Sequence, residues 1–171
     1  DIFFGLSTAD CVTQDMVRGM APDPLVLAMA NPNPEIHPDL TREARPDAII
    51  GTGRSDFPNQ VNNVLCFPFL FRGALDCGAT TINDEMKIAC AYGLVDLAQQ
   101  EASEEVAQAY DGQSLKFGPD YIIPKPFDPR LFERVPVAVV EAAMKSGVAS
   151  RPIEDLDAYR RSLSKHVTRS G

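Results

Sequence analysis

Nothing among the 171 residues approaches the roughly 18 consecutive apolar residues that a membrane span requires. No basic segment leads into an apolar one as a secretory signal does. Positive charge is scarce: 16 Lys and Arg stand against 24 Asp and Glu, for a net charge of −8. That balance excludes a phosphate-backbone binder, whose affinity rests on clustered Lys and Arg. Histidine is limited to His37, in a Pro-rich loop, and His166, in a basic terminal segment, so neither is placed as a general base. No serine sits in a G-x-S-x-G elbow. The four cysteines, Cys11, Cys66, Cys77 and Cys90, form no C-x-x-C pair and fit no zinc spacing. They read as reduced thiols of a cytoplasmic protein. No repeat or low-complexity tract breaks the chain.

What is present is a core-forming composition, 44% hydrophobic and 23% charged, in a chain of one-domain length, roughly 100–200 residues. Proline is abundant at 14 residues, against an average of about 5%, which predicts long loops or many helix starts. Three apolar runs each pass directly into a loop. Ile2-Phe3-Phe4 leads to Gly5-Leu6-Ser7-Thr8. Leu25-Val26-Leu27-Ala28-Met29-Ala30 leads to Asn31-Pro32-Asn33-Pro34. Ala48-Ile49-Ile50 leads to Gly51-Thr52-Gly53-Arg54-Ser55-Asp56. Continuous rather than alternating runs predict parallel strands near residues 1–5, 25–30 and 47–52, covered on both faces. An apolar run at residue 2 with no initiator Met also predicts a chain cut from something longer.

Helices fill the rest. Thr13 is a plausible cap for a helix carrying Val12, Met16, Val17 and Met20 on one face. A short helix falls within 38–44, and a largely buried one, with Pro68 in its first turn, within 64–77. Asn83 or Asp84 caps a long amphipathic helix to about residue 101, on which Ile88, Ala91, Val95 and Ala98 mark one face. Residues 102–126 are mixed. Asp128-Pro129 opens a helix to Lys145, bent or broken at Pro136 and stopped at Gly147, and a last helix occupies about 153–167. The pattern is α/β, with helices dominating after the third strand.

In an open parallel sheet, ligands sit beyond the carboxyl ends of the strands. Three loops would meet there, bearing Ser7 and Thr8, then Asn31 and Asn33, then Gly51, Thr52, Gly53, Arg54 and Ser55; Gln60, Asn62 and Asn63 follow. Small residues let a ligand approach the backbone, and amides donate and accept without bringing charge. Asn-Pro and Gly-x-Gly are also ordinary turn residues, so turn-making remains open for each of them. Gly51-x-Gly53 is not a pyrophosphate grip, because Asp56 occupies the position of the third glycine and would repel phosphate. Glu35 and Asp56 stand out by position, with no partner evident. No complete acid–base pair and no metal cluster emerges.

Leu27-Ala28-Met29-Ala30-Asn31-Pro32-Asn33-Pro34-Glu35-Ile36 resembles a late motif of the malic enzymes. So does the stretch from Ala48-Ile49-Ile50-Gly51-Thr52-Gly53-Arg54-Ser55-Asp56-Phe57-Pro58-Asn59-Gln60 through Val61-Asn62-Asn63-Val64-Leu65-Cys66-Phe67-Pro68. Arg72-Gly73-Ala74-Leu75, Thr80-Thr81-Ile82-Asn83 and Tyr121-Ile122-Ile123-Pro124-Lys125-Pro126-Phe127-Asp128-Pro129-Arg130 continue the likeness, the last toward the bacterial branch.

The resemblance implies oxidative decarboxylation of L-malate to pyruvate and CO2, with NAD or NADP and with Mg2+ or Mn2+. By it, Asn31, Asn62 and Asn63 meet substrate, and Ser7, Thr8, Asn31, Gly51, Gly53 and Asn62 pass the cofactor. It implies the second half of a Rossmann-like parallel sheet over residues 1–101 and a C-terminal helical extension over 102–171. The family's catalytic Tyr and Lys, its metal ligands and its Gly-rich loop belong to segments before Asp1, so no catalytic residue and no metal ligand is assigned here. The expected partners are the remainder of the same enzyme and a second copy in a homo-oligomer, and the segment alone is expected to be inactive. A phosphotransacetylase-like domain often follows in the bacterial branch. The alternative is a non-catalytic dimerisation or regulatory module derived from such an enzyme.

Overall fold

The computed structural model describes residues 1–102, 106–107 and 115–167. Parts of the mixed 102–126 segment and the side chain of His166 lie outside the described residues. The chain forms two compact units, Asp1–Asn62 with Lys116–Lys125, and Asn63–Leu115 with Pro126–Gly171.

The first unit holds β1 (Ile2–Gly5), α1 (Gln14–Arg18), β2 (Leu25–Ala28), α2 (Pro38–Ala44) and β3 (Ile49–Thr52). The strands pair in parallel in the order β1-β2-β3, as the apolar runs predict. Thr13 caps α1 by accepting the Met16 N–H at 3.3 Å, and Pro38 starts α2 with its missing donor where no donor is needed. Val17, Val26, Ala28, Ile36, Ala48 and Ile50 form the core, with Phe3, Val12, Met20 and Ala44 against it. Arg45 fastens the sheet's amino end: its guanidinium donates to the Met20 and Ala21 carbonyls and to Asp47, whose carboxylate also accepts the Asp23 N–H. One expectation changes. β1 is not covered on both faces, because Phe3 packs inward while Ile2 and Phe4 are 69% and 63% exposed.

The second unit is helical, with a 3-10 turn (Asn63–Leu65), α3 (Phe67–Asp76), α4 (Asp84–Gln99), α5 (Arg130–Lys145) and α6 (Leu156–Val167). Asn83 caps α4 through the Met86 N–H at 3.1 Å. Asp128 caps α5 by accepting the Arg130 N–H at 2.9 Å while its carboxylate pairs with the Arg130 guanidinium. Gly147, at φ +75°, follows the end of α5.

Two helix expectations need correction. α4 buries Met86, Cys90, Gly93, Leu97 and Ala98, whereas Ile88, Ala91 and Val95 face out. The helix carries two apolar stripes, and the one with small residues lies against α5, where Gly93 approaches Val135. α3 is buried on one side only, through Phe69, Leu70, Gly73 and Ala74, leaving Phe67 and Leu75 exposed. α5, expected to be bent or broken at Pro136, is unbroken and continues from Arg130 to Lys145 with Val135, Pro136 and Val137 all buried.

Candidate functional site at the carboxyl end of the sheet

The register places Gly5, Ala28 and Thr52 side by side, so all three strands release their loops at one edge. The ladder carries on past the strands, the Met29 N–H donating to the Gly5 carbonyl at 3.1 Å and the Val61 N–H to the Thr52 carbonyl at 2.7 Å. The loops after β1 and β2 are joined by the N–H groups of Asp10 and Val12, which donate to the carbonyls of Pro34 and Glu35.

Glu35 completes that joint. Its side chain is fully buried, and its two carboxylate oxygens accept the Ser7 N–H at 2.8 Å and the Ala30 N–H at 3.0 Å. Burial alone would raise the carboxyl's pKa, but the hydrogen bonds from Ser7 and Ala30 outweigh it and hold the group below its ordinary range. One anion thus fixes the backbone just before Asn31 and at Ser7. Sequence reasoning singled out Glu35 by position but found it no partner, because its partners are backbone amides that carry no residue signature.

Ser7, Thr8 and Asn31 are exposed on these loops. Gly51 is buried, and a Cβ there would come within 2.8 Å of Leu27 Cδ2 and 3.2 Å of the Asn59 carbonyl, so a larger residue would have to displace the Leu27 side chain and shift the Asn59 backbone. Gly53, half-buried, would meet only the Met29 and Val61 carbonyls at 3.7 and 3.9 Å. Asn62 is exposed at the end of the third loop, and Asn63 follows it in the second unit as the first residue of the 3-10 turn. Ser7, Thr8, Asn31, Gly53 and Asn62 therefore share the loop edge of the first unit, while Asn63 adjoins Asn62 in sequence.

The third loop is shaped by residues the sequence left unassigned. Asn59, almost fully buried at φ +54°, donates its amide to the Ile50 and Pro119 carbonyls at 2.8 and 2.7 Å and accepts the Ile122 N–H at 2.9 Å. Asp56 takes Arg54 as its partner, at 2.8 Å from Nε, and that guanidinium lies 5.4 Å from the Phe57 ring centroid. The hydrogen bonds from Arg54 hold the Asp56 carboxyl below the usual range. His37 caps α2 through Nδ1 and meets Phe57 edge-on at 5.1 Å, which agrees with its reading as an ordinary loop residue.

The side chains assigned to the site, Ser7, Thr8, Asn31, Asn62 and Asn63, are neutral; Arg54 and Asp56 pair with each other, and exposed Asp10 is the further charge on the first loop. Amides, hydroxyls and backbone groups of this kind fit the carboxamide and ribose hydroxyls of a dinucleotide. They do not fit a divalent ion. Among the described residues no group of three His, Cys, Asp or Glu is placed to hold one, and the nearby Glu35 spends both oxygens on backbone N–H groups.

The sequence model of the family described as "Malic enzyme, NAD binding domain" matches residues 1–110. The chain belongs to the malic enzymes. This malic-enzyme chain is 61% identical over 167 residues to the NADP-dependent malic enzyme of Haemophilus influenzae, a match covering 98% of it. It is 58% identical over all 171 residues to the NAD-dependent malic enzyme of Rhizobium meliloti. In both comparisons it spans 22% of the relative's length. Among solved structures, the malic enzyme of Pyrococcus horikoshii matches 99% of the chain at 34% identity with a TM-score of 0.77, over 34% of that chain. The Entamoeba histolytica malic enzyme matches 99% at 33% identity and a TM-score of 0.80, over 33% of that chain. The α/β malic-enzyme fold expected from the motifs is therefore present. Among the described residues no helix is long and apolar enough to cross a membrane.

Proposed function

We propose that the chain is the C-terminal portion of the malic-enzyme region of a longer cytoplasmic enzyme that oxidises and decarboxylates L-malate to pyruvate and CO2 while reducing NAD(P)+. Residues 1–101 form the second half of its cofactor domain and 102–171 a helical extension. The observation that carries the reading is the edge where the three loops meet, rich in amides and hydroxyls, with its first two loops joined by the buried Glu35 carboxylate. Asn31, Asn62 and Asn63 meet malate. Ser7, Thr8, Asn31, Asn62 and the backbone at Gly51 and Gly53 line the cofactor's path. In that role an amide side chain orients a carboxylate or the nicotinamide carboxamide by donating and accepting at once. The bound cofactor supplies hydride acceptance; this chain's residues bind and orient.

The Mg2+ or Mn2+ of the reaction is assigned to ligands elsewhere in the enzyme. The same holds for the groups that move protons, so the segment by itself is expected to be inactive. Exposed apolar side chains on the helices, Phe67, Phe71 and Leu75 on α3 and Ile88 and Tyr92 on α4, support contact with the remainder of the enzyme or with a second copy.

The test is steady-state kinetics of the complete enzyme carrying Asn31→Ala or Asn62→Ala. Loss of a hydrogen bond to a charged ligand group costs about 1.5–3 kcal/mol, or roughly ten- to hundredfold in kcat/KM. Wild-type kinetics in both variants would assign these asparagines to turn-making and remove the substrate role.

A further inference from the structure

Cys66 and Cys90 are far apart in sequence, yet their sulfurs lie 3.2 Å apart, the Cys90 thiol directed at Cys66 Sγ. Both belong to the second unit: Cys66 immediately precedes α3, and Cys90 lies in the second turn of α4. All four cysteines are free thiols. Cys11 has Ser7 Oγ as its neighbour at 3.6 Å, and Cys77 has the Ala74 carbonyl at 3.6 Å. A disulfide spans about 2.04 Å, so the Cys66 and Cys90 sulfurs need about 1.2 Å of approach to bond. The two thiols also differ in access: Cys66 is partly exposed and Cys90 is fully buried. That asymmetry is what an attacking thiol and a resolving thiol require.

We propose that Cys66 and Cys90 form an oxidisable dithiol, which hydrogen peroxide closes to an intrachain disulfide by reacting first at Cys66. The Cys66 thiolate attacks one peroxide oxygen, the O–O bond breaks, and the departing hydroxide takes the thiol's proton to leave as water. Cys66 is then a sulfenic acid. The Cys90 sulfur attacks Cys66 Sγ, the S–O bond breaks, and the Cys90 proton leaves with that hydroxyl as a second water. Two thiols lose two electrons, and one peroxide is reduced to two waters.

Burial, with the neighbouring Cys66 thiol, pushes the Cys90 thiol up to about 12. Cys90 therefore stays protonated and does not compete for the oxidant. The bond would tie the start of α3 to α4. Through the Cys66 N–H, which donates to the Asn63 carbonyl at 3.1 Å, it would also tie down the 3-10 turn.

The experiment treats the complete protein with stoichiometric hydrogen peroxide, alkylates remaining thiols under denaturing conditions, and identifies peptides by mass spectrometry. The expected product is a Cys66–Cys90 peptide pair lighter by two hydrogens, with two fewer alkylated thiols, both reversed by dithiothreitol. Mixing isotopically light and heavy chains shows whether the link is intrachain; a mixed-label link would overturn the proposal. So would Cys66 and Cys90 both remaining alkylatable, or Cys66 proceeding to sulfinic acid without linkage. In Cys90→Ala, Cys66 should accumulate sulfenic acid, trapped by a 1,3-dione at severalfold the wild-type level, and an unlabelled Cys66 would count against the sequence of steps. The wild-type measurement stands whether or not that variant folds.

Discussion

Replacing Glu35 tests the joint beneath the site. Its carboxylate accepts two backbone N–H groups and is fully buried. A hydrogen bond to a charged group contributes about 1.5–3 kcal/mol. Glu35→Ala removes both, but Ser7 is exposed, so water can reoccupy its N–H, whereas the Ala30 N–H lies in a nearly buried residue. The expected net loss is therefore about 2–4 kcal/mol, most of it at Ala30. Glu35→Gln keeps the volume and one acceptor but turns an amide donor toward the other N–H, so it should lose about half as much.

The cost is local, and hydrogen exchange in the complete protein reads it directly. The Ala30 amide should exchange about ten- to hundredfold faster in Glu35→Ala. The pH dependence has a definite sign. The carboxyl's pKa in the folded protein is depressed, so its contribution is full above the unfolded value of about 4.3 and is lost as pH falls through the folded value. The gap between wild type and Glu35→Gln should be constant near neutrality and close in acid. Unchanged protection around residues 7 and 30 in both variants would refute the role given to Glu35.

Asn59→Ala removes two donated bonds and one accepted bond from a buried loop side chain, and should lower stability by about 2–4 kcal/mol in denaturant titration; Asn59→Asp, which sets oxygen against two carbonyls, should be no better. Asp128→Ala removes the buried carboxylate that pairs with Arg130 and accepts its N–H; Arg130 keeps the Glu101 carbonyl, so the cost by the same titration should be about 1.5–3 kcal/mol. The Tyr159 phenol donates to Asp76 at 2.8 Å, and burial, reinforced by that bond, raises its pKa. Its contribution is full below the unfolded value of about 10 and lost as pH rises through the folded one, so ultraviolet titration should show a late-ionising component that is lost in Tyr159→Phe.

The strands were legible because each apolar run ends in Gly- or Asn-rich loop chemistry, and β2 and β3 begin and end within two residues of the expected bounds. Thr13 and Asn83 were legible as caps because a short polar side chain before a helix has one main use. The inner face of α4 was not. Ile88 and Val95 are as apolar as Met86 and Leu97, and periodicity cannot choose between two stripes when small residues at Cys90 and Gly93 decide the contact. Asn59 and Glu35 escaped for a shared reason: both act on backbone groups, which look alike under every side chain. The edge of the sheet could be foreseen, but not the anion that holds two of its loops together.

Gly5 has a consequence for how this chain can vary. A Cβ at that position would fall 2.5 Å from the Glu35 carboxyl carbon, inside contact distance of all three carboxyl atoms. Positions 5 and 35 are separated along the chain but constrain each other as one inherited unit. While Glu35 is present, Gly5→Ala forces the carboxylate off its two amides; once Glu35 has become Ala, the three atoms nearest to the new Cβ are gone. The harm of the first substitution thus depends on whether the second has already occurred. A lineage can leave the Gly5–Glu35 pairing only by surrendering the carboxylate first, and a double-mutant cycle should show Gly5→Ala costly in the wild type and close to neutral in the Glu35→Ala background.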